Sequence, residues 1–264
     1  SKIQLVNISW NTLEGDIFYV KNKINYIESA KIENTSTTIK DFFQNNSVET
    51  KVMNSYYGSD VNTPINLKNE KTIFSDESTI ETAYQYAYEK GNQKLIDANM
   101  VEIPLDTEVK KDGKTISKAE TKYDNPVNLL PSSVLSYNMQ SNTPSTEVTY
   151  DIYDGKRNLI QYTTKAGVST SIIWGYNQTQ PIAKIEGAKL SDITQTLINS
   201  IVNASDDTNA NYSESTLLNQ LDAFRIALPN FQISTYTYKP LIGVTTITPP
   251  SGIREYYFYD TANR

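Results

Sequence analysis

The chain has 264 residues, a net charge of −6 and a mean hydropathy of −0.50. It contains neither cysteine nor histidine, which excludes disulfide bonds and Cys/His zinc sites and removes the commonest general base of enzymes. No cluster of Lys or Arg offsets the acidic charge, and an acidic surface repels the phosphates of nucleic acids. No apolar stretch approaches the roughly 20 residues that span a bilayer, and Ser1 does not open a recognisable signal peptide.

The amino-acid composition favours β-structure. The 19 tyrosines partly offset a hydrophobic content of 38%, because a tyrosine ring can be buried while its hydroxyl finds water or a partner. Threonine, valine and isoleucine suit a pleated, half-buried surface, and the abundant asparagine suits turns. We therefore expect a mostly β protein with one sizeable domain or two modest ones.

The first half of the chain alternates apolar and polar residues in short runs, which is the period-two pattern of strands. Residues 16–27 predict a hairpin around Lys21-Asn22. Asp112-Gly113 predicts another, because the central residues of a two-residue type I′ turn need positive φ. The remaining strands predicted here are Val48–Tyr57, Lys71–Phe74 and Thr79–Tyr88.

The second half continues this pattern on both sides of one dissimilar segment. Pro131 and Pro144 lie between runs, where the missing N–H of proline costs no ladder hydrogen bond. The strands predicted here are Ser132–Met139, Thr146–Tyr153, Leu159–Thr164, Ser169–Tyr176, Ile233–Tyr238, Gly243–Thr248 and Ile253–Tyr259.

The dissimilar segment, residues 189–228, has helical spacing. Its two apolar stripes are Leu190, Ile193, Leu197 and Ile201, followed by Leu217, Leu221, Phe224 and Leu228. Ser191 and Ser213 are the candidate N-caps, and Pro229 marks the end. We expect a two-helix hairpin that is inserted between strands and is dispensable for the hydrogen bonding of the sheet.

An internal repeat connects two parts of the second half. Residues 159–176 (LIQYTTKAGVSTSIIWGY) resemble residues 243–260 (GVTTITPPSGIREYYFYD). Each segment has an alternating strand, a turn at Gly167 or Gly252, and a strand with aromatics at its end, among them Trp174 and Tyr259. Looser copies of this ending recur about every 25–35 residues. Stacking such a unit predicts consecutive antiparallel hairpins in an extended sheet able to spiral.

The segments TYDIYDGKRNL and YYFYDTANR resemble YD repeats, the β-hairpin repeats of Rhs proteins. The family pattern is roughly Tyr-Asp-x-x-Gly-Arg/Asn-Leu. In the first segment the matching residues are Tyr153, Asp154, Asn158 and Leu159. Arg157 stands at the usual glycine position there, and we expect the nearby Gly155 to serve the turn instead.

The second segment matches the same pattern at the end of the chain. Tyr259 and Asp260 match directly, and Asn263 takes the glycine position. Asparagine is the next best residue after glycine at positive φ. Because the motif is incomplete at Arg264, we expect the chain to be part of a longer polypeptide.

The resemblance implies a large bacterial protein that is secreted or displayed at the cell surface. In this family the repeats form a spiral of β-sheet that can close into a shell around a C-terminal toxin. The autoproteolytic aspartates of the family's C-terminal core are not recognisable in this sequence. The resemblance thus implies a scaffold, a container wall or a display module without catalysis or a cofactor.

Other readings of the same residues stay open. Asp151 and Asp154 could bind calcium, although aspartates at strand ends commonly accept hydrogen bonds from a turn. The tyrosines at 84, 86 and 88, and those at 256, 257 and 259, could form sugar-stacking platforms, although aromatic packing between strands explains them as well. Paired carboxylates such as Glu14/Asp16 and Asp76/Glu77 could suggest glycosidase chemistry. Adjacent acids such as Asp76 and Glu77 point to opposite faces of a strand, and acids in loops are usually solvated, which argues against it.

The sequence therefore favours a structural segment with three parts. Residues 1–188 and 229–264 are predicted to form YD-repeat-like hairpins, and 189–228 the helical insert. The expected partners are the remainder of its own polypeptide, other repeats, or a toxin cargo or glycan, with no nucleic acid and no direct membrane insertion. The alternative function is an adhesin-like β module whose exposed tyrosines bind carbohydrate or a partner protein.

Overall fold

The computed structural model of the chain describes residues 34–43, 46–58, 64–207 and 214–263. Strands make up 46% of this part and helices 16%, which confirms the mostly β fold with consecutive antiparallel pairs. The hairpin predicted for residues 16–27 lies outside the described residues.

In the described residues, fourteen antiparallel strands form one open sheet, and their order in the sheet is their order in sequence. The strands are β1 (Asn34–Phe43), β2 (Asn46–Tyr56), β3 (Leu67–Ile73), β4 (Thr79–Gln85), β5 (Asp106–Lys111), β6 (Lys114–Lys122), β7 (Ser133–Tyr137), β8 (Pro144–Tyr153), β9 (Leu159–Thr164), β10 (Ser169–Gly175), β11 (Gln180–Glu186), β12 (Gln232–Lys239), β13 (Gly243–Thr248) and β14 (Glu255–Tyr256). The predicted turn between β5 and β6 is confirmed, since Asp112 and Gly113 have φ of 49° and 77°.

Within the ranges that the structure describes, three α-helices interrupt the strands: α1 (Gln93–Asp97), α2 (Gln195–Asp206) and α3 (Glu214–Ala227). The pair α2 and α3 confirms the helical hairpin expected within 189–228. The sequence did not predict α1, a single turn whose N-cap Asn92 accepts a hydrogen bond from the Leu95 amide at 3.2 Å. No helix in the described ranges is long and apolar enough to cross a membrane.

The chain divides into two compact units, Ser1–Ala119 and Glu120–Arg264. In the described part of the first unit, the buried apolar side chains lie in and around α1, and they are Tyr86, Ala87, Leu95, Val101 and Leu105. Several strand residues of this unit, such as Ile39 and Ile80, stay well exposed. Burial of apolar side chains in this unit is therefore concentrated where the chain leaves the sheet.

The second unit has a continuous hydrophobic core between its strands and its helical hairpin. Ile182 and Ile185 of β11 are fully buried against Ile201 of α2 and Leu217 of α3. This core includes all four residues of the second predicted stripe. The hairpin, which was expected to be dispensable for the hydrogen bonding of the sheet, supplies about half of this core, so its removal would uncover apolar side chains of the strands.

The central strand β11 was not predicted, because Pro181 and the polar residues before it indicate a turn. Pro181 pairs with Trp174 next to an irregularity in the register between β10 and β11. Proline is tolerated in a sheet at such bulges, where its missing N–H breaks no regular ladder. The fully buried Ile182, Ala183 and Ile185 follow it and make β11 a core strand.

Helix α2 begins later than predicted. Ser191 lies in a short 3-10 helix, Leu190–Asp192, and the N-cap of α2 is Thr194. Thr194 takes extended backbone but makes no side-chain capping bond. The start of α2 is therefore held by packing of its apolar residues, such as Ile201, and not by the predicted side-chain cap. The other candidate cap, Ser213, lies outside the described residues.

Two predicted strands are too long. A strand was predicted over Thr79–Tyr88, which would place Tyr84, Tyr86 and Tyr88 on one face. This is wrong, because β4 ends at Gln85. Tyr86 is buried at 5% exposure, whereas Tyr88 lies in a turn at 41%. The last strand contains only Glu255–Tyr256, although a strand was predicted over Ile253–Tyr259.

We expect Leu221→Ala to lower the free energy of unfolding of the second unit by about 2–5 kcal/mol, because it leaves a cavity in the core. Leu221 is 1% exposed, whereas Ile226 on the same helix is 78% exposed. Ile226→Ala is therefore the matched control, with an expected change within about 0.5 kcal/mol. Urea unfolding followed by Trp174 fluorescence, in a Trp10→Phe background, measures both. Equal effects would contradict the packing of α3.

Candidate functional site

One hydrogen bond recurs along the sheet, and we call the five donors the end aromatics. Each belongs to a strand of even number or to the residues just after it. Each donates a phenol or indole proton to a main-chain carbonyl at or near the start of the preceding strand. They are Tyr86 to Leu67 at 2.8 Å, Tyr153 to Pro131 at 2.8 Å, Trp174 to Leu159 at 3.0 Å, Tyr238 to Pro181 at 3.0 Å and Tyr259 to Val244 at 2.9 Å.

The strand order explains why these contacts repeat. In consecutive antiparallel pairing, the end of each even strand lies beside the start of the odd strand before it. A ring at that end can cross to the neighbouring strand and satisfy a carbonyl where the ladder stops. Each end aromatic therefore closes one pair of strands at the end opposite its connecting turn.

Burial keeps three tyrosines of this set neutral, namely Tyr86, Tyr153 and Tyr238. It raises the pKa of Tyr86, Tyr153 and Tyr238 to about 12, with desolvation as the largest cause. A phenol with a raised pKa stays protonated at neutral pH and can donate throughout that range. Such groups favour binding or structure over proton transfer, which works best with a pKa near the operating pH.

The first Tyr-Asp motif forms a turn that is stabilised by its own aspartate. Asp154 Oδ1 accepts hydrogen bonds from the amides of Lys156 and Asn158, both at 2.8 Å. Its other oxygen accepts from the Asn158 side chain at 3.0 Å. Leu159 then opens β9, and its carbonyl accepts the indole proton of Trp174. This is the local hydrogen bonding expected of an aspartate at a strand end.

The expected role of Gly155 in this turn is wrong. Arg157, at the glycine position of the family pattern, has a φ of 71°, whereas the φ of Gly155 is not positive. The Arg157 amide donates to the Asp154 carbonyl at 3.0 Å. An arginine in the left-handed region is strained, because its Cβ crowds the following carbonyl. The turn thus requires positive φ at position 157.

The second Tyr-Asp motif repeats this geometry. Asp260 Oδ1 accepts from the Ala262 amide at 2.8 Å, and the Asn263 amide donates to the Asp260 carbonyl at 2.9 Å. Asn263 has a φ of 58°, which matches the value at Arg157. The turn glycines are also alike, since Gly167 and Gly252 have φ of 77° and 82°. The internal repeat seen in the sequence is therefore a repeat of backbone geometry and hydrogen bonding.

Neighbouring turns contact each other. The Lys156 ammonium donates to the Asn177 carbonyl, and the Asn158 side chain donates to the Gln178 carbonyl at 2.9 Å. Asn177 and Gln178 have φ of 58° and 61° and lie in the turn after β10. The Asp154 turn, which connects β8 to β9, thus helps to hold the turn that connects β10 to β11.

The acidic residues considered for calcium make protein hydrogen bonds instead. Asp151 accepts from Gln161 at 3.1 Å and from Thr163 at 2.7 Å, and Asp154 is engaged in its turn. In the described part of the chain, no group of three Asp, Glu, His or Cys side chains is placed to hold a metal ion.

Sequence reasoning missed one polar contact that fixes α3 to the sheet. Arg225 is half-buried in the last turn of α3, and burial lowers the pKa of its guanidinium. It donates to the carbonyls of Ile233, Thr248, Pro249 and Pro250. A basic residue in a last helical turn is a recognisable signal, but the sequence does not reveal which strand carbonyls it reaches.

We expect Tyr153→Phe to lower the free energy of unfolding of the second unit by about 1 kcal/mol, because the Pro131 carbonyl loses its donor. Tyr256→Phe removes a hydroxyl from a ring that is 57% exposed and should change stability little. Urea unfolding with Trp174 as the reporter compares the two. A smaller loss at Tyr153 than at Tyr256 would show that the end aromatics do not stabilise the pairs.

We expect Arg157→Gly to stabilise the second unit by up to about 1 kcal/mol, because glycine relieves the left-handed strain. Gly155→Ala should be tolerated, since nothing lies within 4 Å of the added Cβ and the φ is not positive. Thermal unfolding of both variants tests this assignment. A destabilised Arg157→Gly together with a strongly destabilised Gly155→Ala would place the critical φ at 155.

No protein-family model matches the chain, and no curated protein matches it. The resemblance to YD repeats therefore rests on the two Tyr-Asp motifs and on the internal repeat. The hydrogen bonds that the two motifs share are consistent with it, and membership of the family stays a prediction.

Proposed function

We propose that the chain is a non-catalytic structural segment of a large secreted or cell-surface protein of the Rhs/YD-repeat type. Its role is that of a scaffold, a shell around a cargo such as a toxin, or a surface display module. Its direct partners are then the remainder of its own polypeptide or further repeat segments. The observation that carries the proposal is the recurrence of the end-aromatic hydrogen bond on five strand pairs.

Recurring bonds of this kind suit a scaffold because they make each strand pair a similar unit. A sheet in strict sequence order grows by adding one pair at its edge, so its length is set by the number of repeats. The function of such an assembly lies in its extent and not in a local cluster of reactive side chains. This agrees with the carboxylates Asp151 and Asp154, whose oxygens are engaged in structural hydrogen bonds.

The orientation of the tyrosines favours the scaffold over the carbohydrate-binding alternative. A binding face needs a row of exposed rings, whereas Tyr86, Tyr153 and Tyr238 are largely covered, and their hydroxyls bond to the main chain. Their sequence positions at strand ends are then explained by closure of the strand pairs.

One feature favours the alternative, an adhesin-like module that binds carbohydrate. Tyr256 and Phe258 are exposed and nearly parallel, with an interplanar angle of 15° and ring centroids 6.5 Å apart. An exposed aromatic face can stack on a sugar ring. The sugar-stacking alternative also placed Tyr259 in this row of rings, but the Tyr259 hydroxyl bonds to the Val244 carbonyl instead.

Antibodies raised against the chain test the scaffold proposal in the bacterium that makes it. We expect an immunoblot band far larger than the 29.8 kDa of this chain, and we expect it in the medium or accessible on intact cells. A soluble intracellular band close to 29.8 kDa would refute the proposal. A glycan array probed with the chain and with Tyr256→Ala addresses the alternative: binding that Tyr256→Ala abolishes would favour it.

A further inference from the structure

The last strand of the sheet leaves an aromatic edge uncovered in the described residues. Strand β14 follows β13 at the end of the strand order and pairs with it alone. Tyr256 is 57% exposed and Phe258 is 89% exposed. An exposed edge that carries large aromatic rings is a template for pairing with another strand.

The backbone groups at this edge have a definite direction. The Tyr257 amide donates inward to the Thr245 carbonyl of β13 at 2.9 Å. Because successive residues of a strand direct their N–H and C=O groups to opposite sides, those of Tyr256 and Phe258 point outward. Two donors and two acceptors, spaced for a ladder, therefore face away from the sheet.

We propose that residues 254–260, which include β14, extend to pair antiparallel with the same residues of a second copy of the chain, about a two-fold axis at Tyr257. In this register Tyr256 lies opposite Phe258 of the second copy, and Tyr257 lies opposite its own equivalent. The outward groups of Tyr256 and Phe258 form the narrow hydrogen-bonded rings, and the two Tyr257 residues form a non-hydrogen-bonded pair. A two-fold interface of this kind closes on itself and adds no further copies.

The side chains of the segment complement themselves in this register. The stacked Tyr256–Phe258 pair of one copy meets the same pair of the other, so four rings are brought together at the centre. Cross-strand aromatic pairs of this kind stabilise sheets. At each end Arg254 lies opposite Asp260 of the second copy, which places opposite charges together. Within its own chain Arg254 also makes an ion pair with Asp222 of α3 at 2.5 Å.

The inference concerns the chain by itself and does not depend on the scaffold proposal. In a longer polypeptide, a following repeat could occupy the same edge and compete with the second copy. The self-pairing can therefore fail while the scaffold proposal stands, and the reverse also holds.

Cross-linking through Tyr257→Cys tests the register, because the chain contains no other cysteine. Residues in a non-hydrogen-bonded antiparallel pair have Cα atoms about 4.5 Å apart, within the range of a disulfide. We expect mild oxidation to give a covalent dimer on a non-reducing gel. Tyr256→Cys should cross-link far less, because its equivalent is displaced along the strand. Leu241→Cys, fully exposed in the turn between β12 and β13, is the control for random collisions.

Sedimentation velocity over a range of concentrations tests the association itself. We expect a reversible monomer–dimer equilibrium that Phe258→Lys weakens at least tenfold and that Leu241→Lys leaves unchanged. Circular dichroism confirms that each variant keeps its strands. A wild-type chain that stays monomeric at every concentration would overturn the proposal. So would association in which Tyr257→Cys cross-links no better than Leu241→Cys, since the copies would then meet elsewhere.

Discussion

The structure depends on the aromatic hydrogen bonds that close five pairs of strands at the end that has no turn. Two antiparallel strands are held together at one end by their connection, but at the other end the ladder stops and carbonyls lose their partners. A tyrosine or tryptophan placed there supplies both a donor and a large apolar ring. The same solution appears in both compact units, at Tyr86 in the first and at Tyr153 in the second. Four of the 19 tyrosines of the chain serve this purpose.

The two units bury apolar surface by different means. In the second unit α2 and α3 cover β10, β11 and β12, and Arg225 and Glu214 add polar contacts from α3 to the strands. In the described part of the first unit the strands carry alternating charges, such as the Lys40–Glu49 pair at 3.0 Å. Exposed pairs of this kind contribute little to stability, so this unit relies more on its main-chain ladder and on the buried residues around α1.

Sequence patterns predicted the local features of this fold better than its interactions. Strand β9 (Leu159–Thr164), strand β13 (Gly243–Thr248), the Asp112-Gly113 turn and the buried stripe of α3 follow from periodicity and turn chemistry, which depend on neighbouring residues. Strand β11 was missed because a bulge accommodates Pro181, and a bulge is a property of two paired strands. The Tyr-Asp turn was recognised, but its strained position was assigned to Gly155, because an arginine at positive φ is exceptional. Contacts such as that of Tyr238 with Pro181 depend on the register of distant segments, which no local pattern encodes.

The helical hairpin connects β11 to β12, whereas the neighbouring pairs β9–β10 and β13–β14 are connected by short turns. Strands β11 and β12 pair like the others, and Tyr238 closes them at the far end, although the whole of α2 and α3 lies between them. The entropy of closing a loop grows only slowly with its length, so a pair already fixed at one end can tolerate a long connection at the other. The connections between strands are therefore where such a chain can acquire new folded segments during evolution without disturbing the ladder, as α2 and α3 do between β11 and β12 and as α1 does between β4 and β5.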